Sequence, residues 1–376
     1  MTLLDLLTRR RRRPLVQQAS TSPTAVAWQR FRRNPTAIAG LCIIGLFSVV
    51  ALLGYLITPD HTPHCNQQYL ELSGLRPLST ATFVYIDDGH DHPRHNALHR
   101  MLFGEPLPYL AIPIFRHTDL GDSLEVETYT GAVPNDGETL RFAQSDVRGI
   151  DTRTFLFGTD GYGHDVLSQM MIGSRVSLSV GFIAVAIALL VGLLLGSLAA
   201  YYGGWVDNLI VWFINVVWSI PTVLLVIAIT FALGKGFWQV FVAVGLTMWV
   251  DVARVVRGQV MSLKEKEFAE AARALGFRTP RILLRHLLPN TLGAVIVITA
   301  SNFASAILLE AGLSFLGIGV QPPTPSWGSM VKENYSYILL DNAYLALIPG
   351  IAIMIIVLAF MLVGSGIRDS LDIKQQ

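Results

Sequence analysis

Six apolar stretches run through this chain, each near the length of about 20 residues that a helix needs to cross a hydrocarbon core. They are Thr36–Ile57, Val176–Ala200, Leu209–Leu233, Phe237–Val256, Thr291–Glu310 and Tyr344–Gly364. The first is too long for a signal-peptide core and lacks a small-x-small cleavage site, so it reads as a retained helix. A twin-arginine export signal is the competing reading of Arg9–Arg13, weakened by the distance from those arginines to the apolar core. The pattern predicts an all-α polytopic membrane protein with six transmembrane helices. Glycines recur in the spans (Gly40, Gly45 and Gly54; Gly181, Gly192 and Gly196), and Gly192-x-x-x-Gly196 predicts close helix approach within the chain rather than a dimer contact.

A different periodicity fills the loop 257–290. Phe268, Ala271, Ala272 and Leu275 recur at i, i+3, i+4 and i+7, which predicts an amphipathic helix over Glu267–Leu275. Gly276 stands where a helix ends in a left-handed residue, Thr279 is placed to cap a second helix, and Pro280 suits its first turn. That second helix, Pro280–Leu288, leads through Pro289 into the fifth span. An apolar face on such a loop needs a partner to cover it.

Between the first two spans lies the polar interval 58–156. "ATFVYIDD" (Ala81–Asp88) and "SLEVETYTG" (Ser123–Gly131) alternate like short strands, which predicts a β-rich or irregular insert. Composition then orients the chain. It is 52% hydrophobic and 15% charged, too apolar for an ordinary soluble domain. Residues 59–174 carry 16 Asp and Glu against 7 Arg and no Lys, a net charge of −9 that leaves +10 for the rest of a chain whose formal charge is +1. Basic segments stay in the cytoplasm. Arg9–Arg13, Arg30, Arg32 and Arg33 therefore place residues 1–35 inside, the insert 58–156 outside, and the loop 257–290, with seven basic residues against three Glu, inside. Six spans return the tail 367–376 to the cytoplasm, with a permease core over 157–366.

Candidate chemistry is sparse. Cys42 and Cys65 fall on different sides of a lipid boundary and do not suggest a disulfide. His61, His64, His90, His92, His95 and His99 cluster in the insert, but Pro93 interrupts the helix that metal-sharing histidines would need, so no metal site is assigned. Gly234-Lys235 lacks the rest of a P-loop, and no hydrolase or CxxC motif occurs, so an enzyme is not indicated. The basic run next to a span reads as a topology signal rather than a nucleic-acid patch. Within the spans, Asn215, Ser219, Asn302 and Glu310, with Asp251 and Arg254 near a helix end, are candidate pathway groups or interhelical hydrogen-bonding groups. Pro221 and Pro349 are candidate kinks.

Glu270-Ala271-Ala272, Gly276 and Leu288-Pro289 together resemble the EAA signature of permease subunits of bacterial ATP-binding-cassette (ABC) importers. "RHLLPN", with His286 where the general pattern has isoleucine, is similar to the dipeptide, oligopeptide and nickel branch. So are "WQRFRRNPTAIAGL" near the start, "FGTDGYGHDVLSQMMIGSRVSL" (Phe157–Leu178) and "LSFLGIGVQPPTPSWGSMV" (Leu313–Val331). The insert departs from the branch, which has a short linker there. The resemblance implies that Glu267–Leu275 is a coupling helix docking on a separate ATPase, with Phe268, Glu270, Ala271, Ala272, Leu275 and Gly276 as its coupling residues. It implies a second permease subunit, two ATP-binding subunits carrying ATP and magnesium, and an extracytoplasmic substrate-binding protein in a bacterial inner membrane. This chain would bind no cofactor itself and supply half of an alternating-access path for di- or oligopeptides. Nickel chelates and glutathione-type cargo are alternatives within the branch. A six-helix channel or a secondary transporter is the alternative outside it, although neither a pore repeat nor similar halves are evident.

Overall fold

The computed structural model describes residues 23–89, 96–131, 133–234, 236–339 and 341–371. Arg9–Arg13, His90, His92, His95, Lys235 and the last residues of the tail lie outside them. A short basic helix α1 (Pro23–Arg33) precedes α2 (Pro35–Leu53), whose N-cap Asn34 accepts the Ala37 N–H and whose chain tightens into a 3₁₀ turn, Gly54–Leu56. The insert follows, with β1 (Ser79–Asp87), a helix α3 (Ala97–Phe103), β2 (Tyr109–Asp119), β3 (Ser123–Thr128), β4 (Thr139–Ala143) and β5 (Val147–Phe155). These strands form one antiparallel sheet in the order β4-β3-β2-β1-β5. Its alternation buries two faces. Ala81 and Phe83 pack with Tyr69 and Leu72, while Val84 and Ile86 pack with Ile114, Leu124 and Val126.

The bundle is made of α4 (Val166–Tyr202), α5 (Gly204–Ser219), α6 (Thr222–Leu233), α7 (Phe237–Lys264), α10 (Leu288–Phe315) and α12 (Tyr344–Leu371). Between α7 and α10 stand α8 (Glu267–Ala274) and α9 (Thr279–Ile282), and between α10 and α12 stands α11 (Trp327–Asn334). Five helices are long and apolar enough to cross a membrane: α2, α4, α7, the run from α9 into α10, and α12. The expected third span differs from a single rod. α5 and α6 are bent by 97° at Ile220-Pro221 and make a sixth crossing only if taken together. The cause is local, because proline forces the residue before it out of the helical region, and Ile220 is extended with ψ 129°. Pro349, by contrast, lies within an unbroken α12.

Three further boundaries differ from the hydropathy reading. α4 begins at Val166, not Val176, with Asp165 as N-cap accepting the Ser168 N–H. α7 continues past Val256 to Lys264, which puts Asp251 midway along a helix rather than near its end. The loop helix Pro280–Leu288 is not separate: α9 passes through a π turn, Leu283–Leu287, straight into α10.

α4 and α7 pack through the expected glycines. A Cβ on Gly192 would lie 2.8 Å from the Trp249 carbonyl oxygen, and one on Gly196 would lie 3.0 Å from the Ala253 Cα, so the GxxxG face is used within the chain. α10 meets α12 and α4 through Phe303, stacked on Phe360 at 4.7 Å and edge-on to Phe182.

At the sheet end one side chain joins insert and bundle. Arg175 of α4 donates to the Ala51 and Leu52 carbonyls at the end of α2 (2.8 and 3.4 Å) and to the Met101 and Leu102 carbonyls at the end of α3 (2.7 and 2.8 Å). The last carbonyls of a helix lack intrahelical partners. One guanidinium satisfies two such ends, with the Tyr55 ring 5.4 Å away.

Candidate functional site

Two regions concentrate the candidate residues. The first is the hairpin end of the bundle. Arg257 of α7 grips Asp207 of α5 through two bonds of 2.6 Å, and Lys264 Nζ donates to the Ala200 carbonyl at 2.7 Å. The ends of α4, α5 and α7 are thereby fixed together, and α8 projects from them. Ala269 and Ala272 of α8 are buried against the bundle, whereas Phe268, Glu270, Ala271 and Leu275 are exposed, Phe268 at 42% and Leu275 at 72%. The apolar face expected from spacing is therefore split: the chain covers Ala272 but leaves Phe268, Ala271 and Leu275 uncovered. Leu275 is the C-cap, and Gly276 follows in the left-handed region at φ 75°, which an L side chain adopts at a cost. Thr279 does not cap: Arg278 holds that position and no side chain bonds there. Behind the turn, Phe277 is stacked between the Arg281 guanidinium (4.2 Å) and the His286 ring (5.8 Å). His286 Nε2 is buried without a hydrogen-bond partner among the described residues.

The second region is the bend. Because α6 leaves α5 at 97°, the pair cannot lie along α7, and a wedge of about 360 Å³ opens between them. It is lined by Val217, Trp218, Thr222 and Leu225 on the bent pair, by Thr247, Met248 and Asp251 on α7, and by Ser305, Leu308 and Leu309 on α10. The Trp218 Nε1–H donates to Asp251 Oδ1 at 3.3 Å, and the Arg254 guanidinium lies 3.4 Å from the Trp218 ring centre.

The other intramembrane polar residues are scattered. Asn215 is exposed, and exposed Ser219 donates to the Val216 carbonyl of its own helix at 2.7 Å. Asn302 is buried with its Nδ2 unpartnered among the described residues. Glu310 is fully buried and accepts from Ser177 of α4 (3.2 Å) and Ser314 (2.7 Å). Ser314 in turn accepts from Ser326 and from the Val320 N–H, so the carboxyl ties α4 and α10 to the loop before α11.

Among the described residues, no group of three metal-ligating side chains converges. His61 Nδ1 pairs with the Tyr55 carbonyl at 2.7 Å, His64 Nδ1 with Thr324 at 3.1 Å, and His99 lies against Phe103. Cys65 is buried beside Asp60, and burial pushes its thiol above the usual cysteine range. The sequence reading missed Arg175 and the pairing of Asp251 with Trp218. No local signal marked the first, since Arg175 stands just before the apolar stretch Val176–Ala200 and its acceptors are distant in sequence.

Five to six apolar helices, one basic hairpin with an uncovered apolar face and a wedge at a helix break define a polytopic membrane protein. Residues 192–375 match the family described as binding-protein-dependent transport system inner membrane component, and residues 22–77 match the N-terminal transmembrane domain of oligopeptide transport permease C. The dipeptide transport system permease protein DppC of Alkalihalophilus pseudofirmus is 41% identical over 220 residues, 58% of this chain and 72% of that one. The glutathione transport system permease protein GsiD of Escherichia coli is 42% identical over 218 residues, with the same shares. A chain of the inward-facing methionine ABC transporter MetNI aligns with 54% of this chain and 96% of its own length at 19% identity and a TM-score of 0.45. The chain belongs to the permease subunits of ABC importers, in their dipeptide and oligopeptide family. It is thus a multi-pass inner-membrane transport protein of a family of permeases rather than catalytic subunits. The sheet Ser79–Phe155 lies wholly in the stretch 78–191 that neither family match covers.

Proposed function

We propose that this chain forms half of the translocation path of an importer for short peptides or glutathione, the cargo named for its relatives DppC and GsiD. A second permease subunit forms the other half, two separate ATPase subunits bind ATP and magnesium, and a substrate-binding protein delivers cargo from outside. Both termini and α8 face the cytoplasm, and the sheet domain stands outside, on the side where the binding protein docks. Charge supports this orientation, since basic residues gather at the hairpin end and the insert is acidic.

The observation that carries the reading is the face of α8. Phe268, Ala271 and Leu275 are open on a helix whose neighbouring positions, Ala269 and Ala272, are seated on the bundle. A helix seated on one side and open on the other can pass a push from a partner into α7. A flexible loop would absorb the displacement. Glu270 supplies a polar anchor to the ATPase groove, Ala271 allows close approach, and Gly276 sets the turn.

The test is to purify the tagged chain from native membranes in mild detergent and identify its companions by mass spectrometry. A second permease with P-loop ATPases is the expected outcome; the chain alone across several detergents would overturn the reading. Glu270→Lys and Gly276→Pro should each leave the chain inserted at normal levels while ATP hydrolysis no longer drives uptake. Wild-type uptake in both would remove α8 from the coupling path.

A further inference from the structure

The wedge at the bend holds a group that the importer reading above does not use. Asp251 is the only ionisable residue among those lining the cavity, and it sits midway along α7. An acidic side chain within an apolar span is costly and marks function unless it is paired. Here it is half-paired at best. Oδ1 receives one long bond from the Trp218 indole, and no ion pair reaches the carboxylate among the described residues. Arg254, three residues further along α7, lies against the Trp218 ring and makes no ion pair with Asp251, which lines the cavity.

We propose that this cavity is a cargo subsite and that Asp251 receives the α-ammonium group of the transported peptide. This rests on the peptide-importer reading, whose candidate cargoes all carry such a group. The surroundings suit an ammonium, which has three donors and no acceptor. Asp251 offers a carboxylate, and Thr247, one turn away, spends its hydroxyl hydrogen on the Val244 carbonyl at 2.8 Å and keeps its lone pairs. A single carboxylate with hydroxyls and no second acidic or imidazole group does not make a metal site. The volume, about 360 Å³, lies in the range of small-ligand pockets. The apolar remainder, Val217, Leu225, Met248, Leu308 and Leu309, tolerates varied side chains.

Asparagine separates this role from a structural one. Asp251→Asn keeps an oxygen to accept from Trp218 but removes the charge. With the chain replaced in its native host, uptake of radiolabelled dialanine by Asp251→Asn should fall about ten- to hundredfold in maximal rate, the factor expected for losing a charge-assisted bond. The half-saturating concentration should hold, because capture occurs on the binding protein. Asp251→Glu should recover part of the rate. Membrane levels and co-purifying partners should match the wild type in both. Wild-type uptake by Asp251→Asn, or a fall shared equally by Asp251→Glu, would overturn the subsite and leave the importer reading standing. Failure of the wild-type chain to support dialanine or glutathione uptake would instead overturn the importer reading.

Discussion

Two helices of eight residues flank α10, one at each end, and they are finished in opposite ways. At the sheet end α11 is complete within its own chain. Ser326 and Ser329 form a reciprocal capping box, Trp327 is fully buried with its Nε1–H on the Met170 carbonyl at 3.0 Å, and Phe47 packs edge-on against the indole. At the hairpin end α8 has Lys266 as N-cap with no side-chain bond, and it leaves Phe268 and Leu275 in the open. Length and helical propensity do not explain the contrast. The large apolar side chain of α11, Trp327, is covered by its own chain, whereas α8 keeps one face that the described residues leave uncovered, the face on which the proposed coupling rests.

The contrast can be broken or sharpened by substitution. The largest effect is expected for Trp327→Ala, which empties a site packed on all sides and should cost ~3–5 kcal/mol, read as a fall in the thermal midpoint of the detergent-solubilised chain. Phe268→Ala should do the reverse. Folding stability should change by less than ~1 kcal/mol, while retention of the ATPase subunits on the purified complex should weaken by about 2 kcal/mol or more, as for an interface anchor. Equal stability losses in the two variants would erase the distinction. Ser326→Ala should cost ~1 kcal/mol through the lost cap, whereas Lys266→Ser should raise the midpoint slightly by supplying a cap that α8 lacks. The smallest effect is expected at Cys65. Its burial and raised pKa should leave it unlabelled by N-ethylmaleimide at pH 7 in the folded protein, and prompt labelling would show the sheet end to be less closed than α11 suggests.

How much of this was legible in the sequence depended on whether the cause was local. Five of the six spans were readable because a hydrocarbon core sets a length, the other being a bent pair, and β1 and β3 were readable from their alternation. The break at Pro221 was a local signal too, but its 97° angle was not, because the direction of α6 is set by what it packs against. α7 was cut short at Val256 because the charges near its end, Arg254 and Arg257, lower hydropathy. The structure spends them on Trp218 and Asp207, partners that only tertiary contact supplies. At the hairpin the helix and its glycine stop were legible, yet spacing alone could not tell which apolar positions the bundle itself would cover. Ala269 broke the expected periodicity and is buried; Leu275 obeyed it and is exposed. Arg175 had no local pattern at all, since its acceptors lie on two helices that precede it in the chain.

That arginine also reaches far back along the chain. Its contact with Ala51 spans 124 positions, so at 5–20 residues per second a ribosome reaches codon 175 roughly 6–25 s after it has finished the end of α2. Every strand of the sheet, ending at Phe155, and both helix ends that Arg175 joins have by then been made. The carbonyls of Ala51 and Leu52 therefore have no Arg175 to bond until the insert has been translated and α4 has begun. The guanidinium thus closes a loop of more than a hundred residues, and the sheet lies inside it as a clasped segment rather than a hanging one.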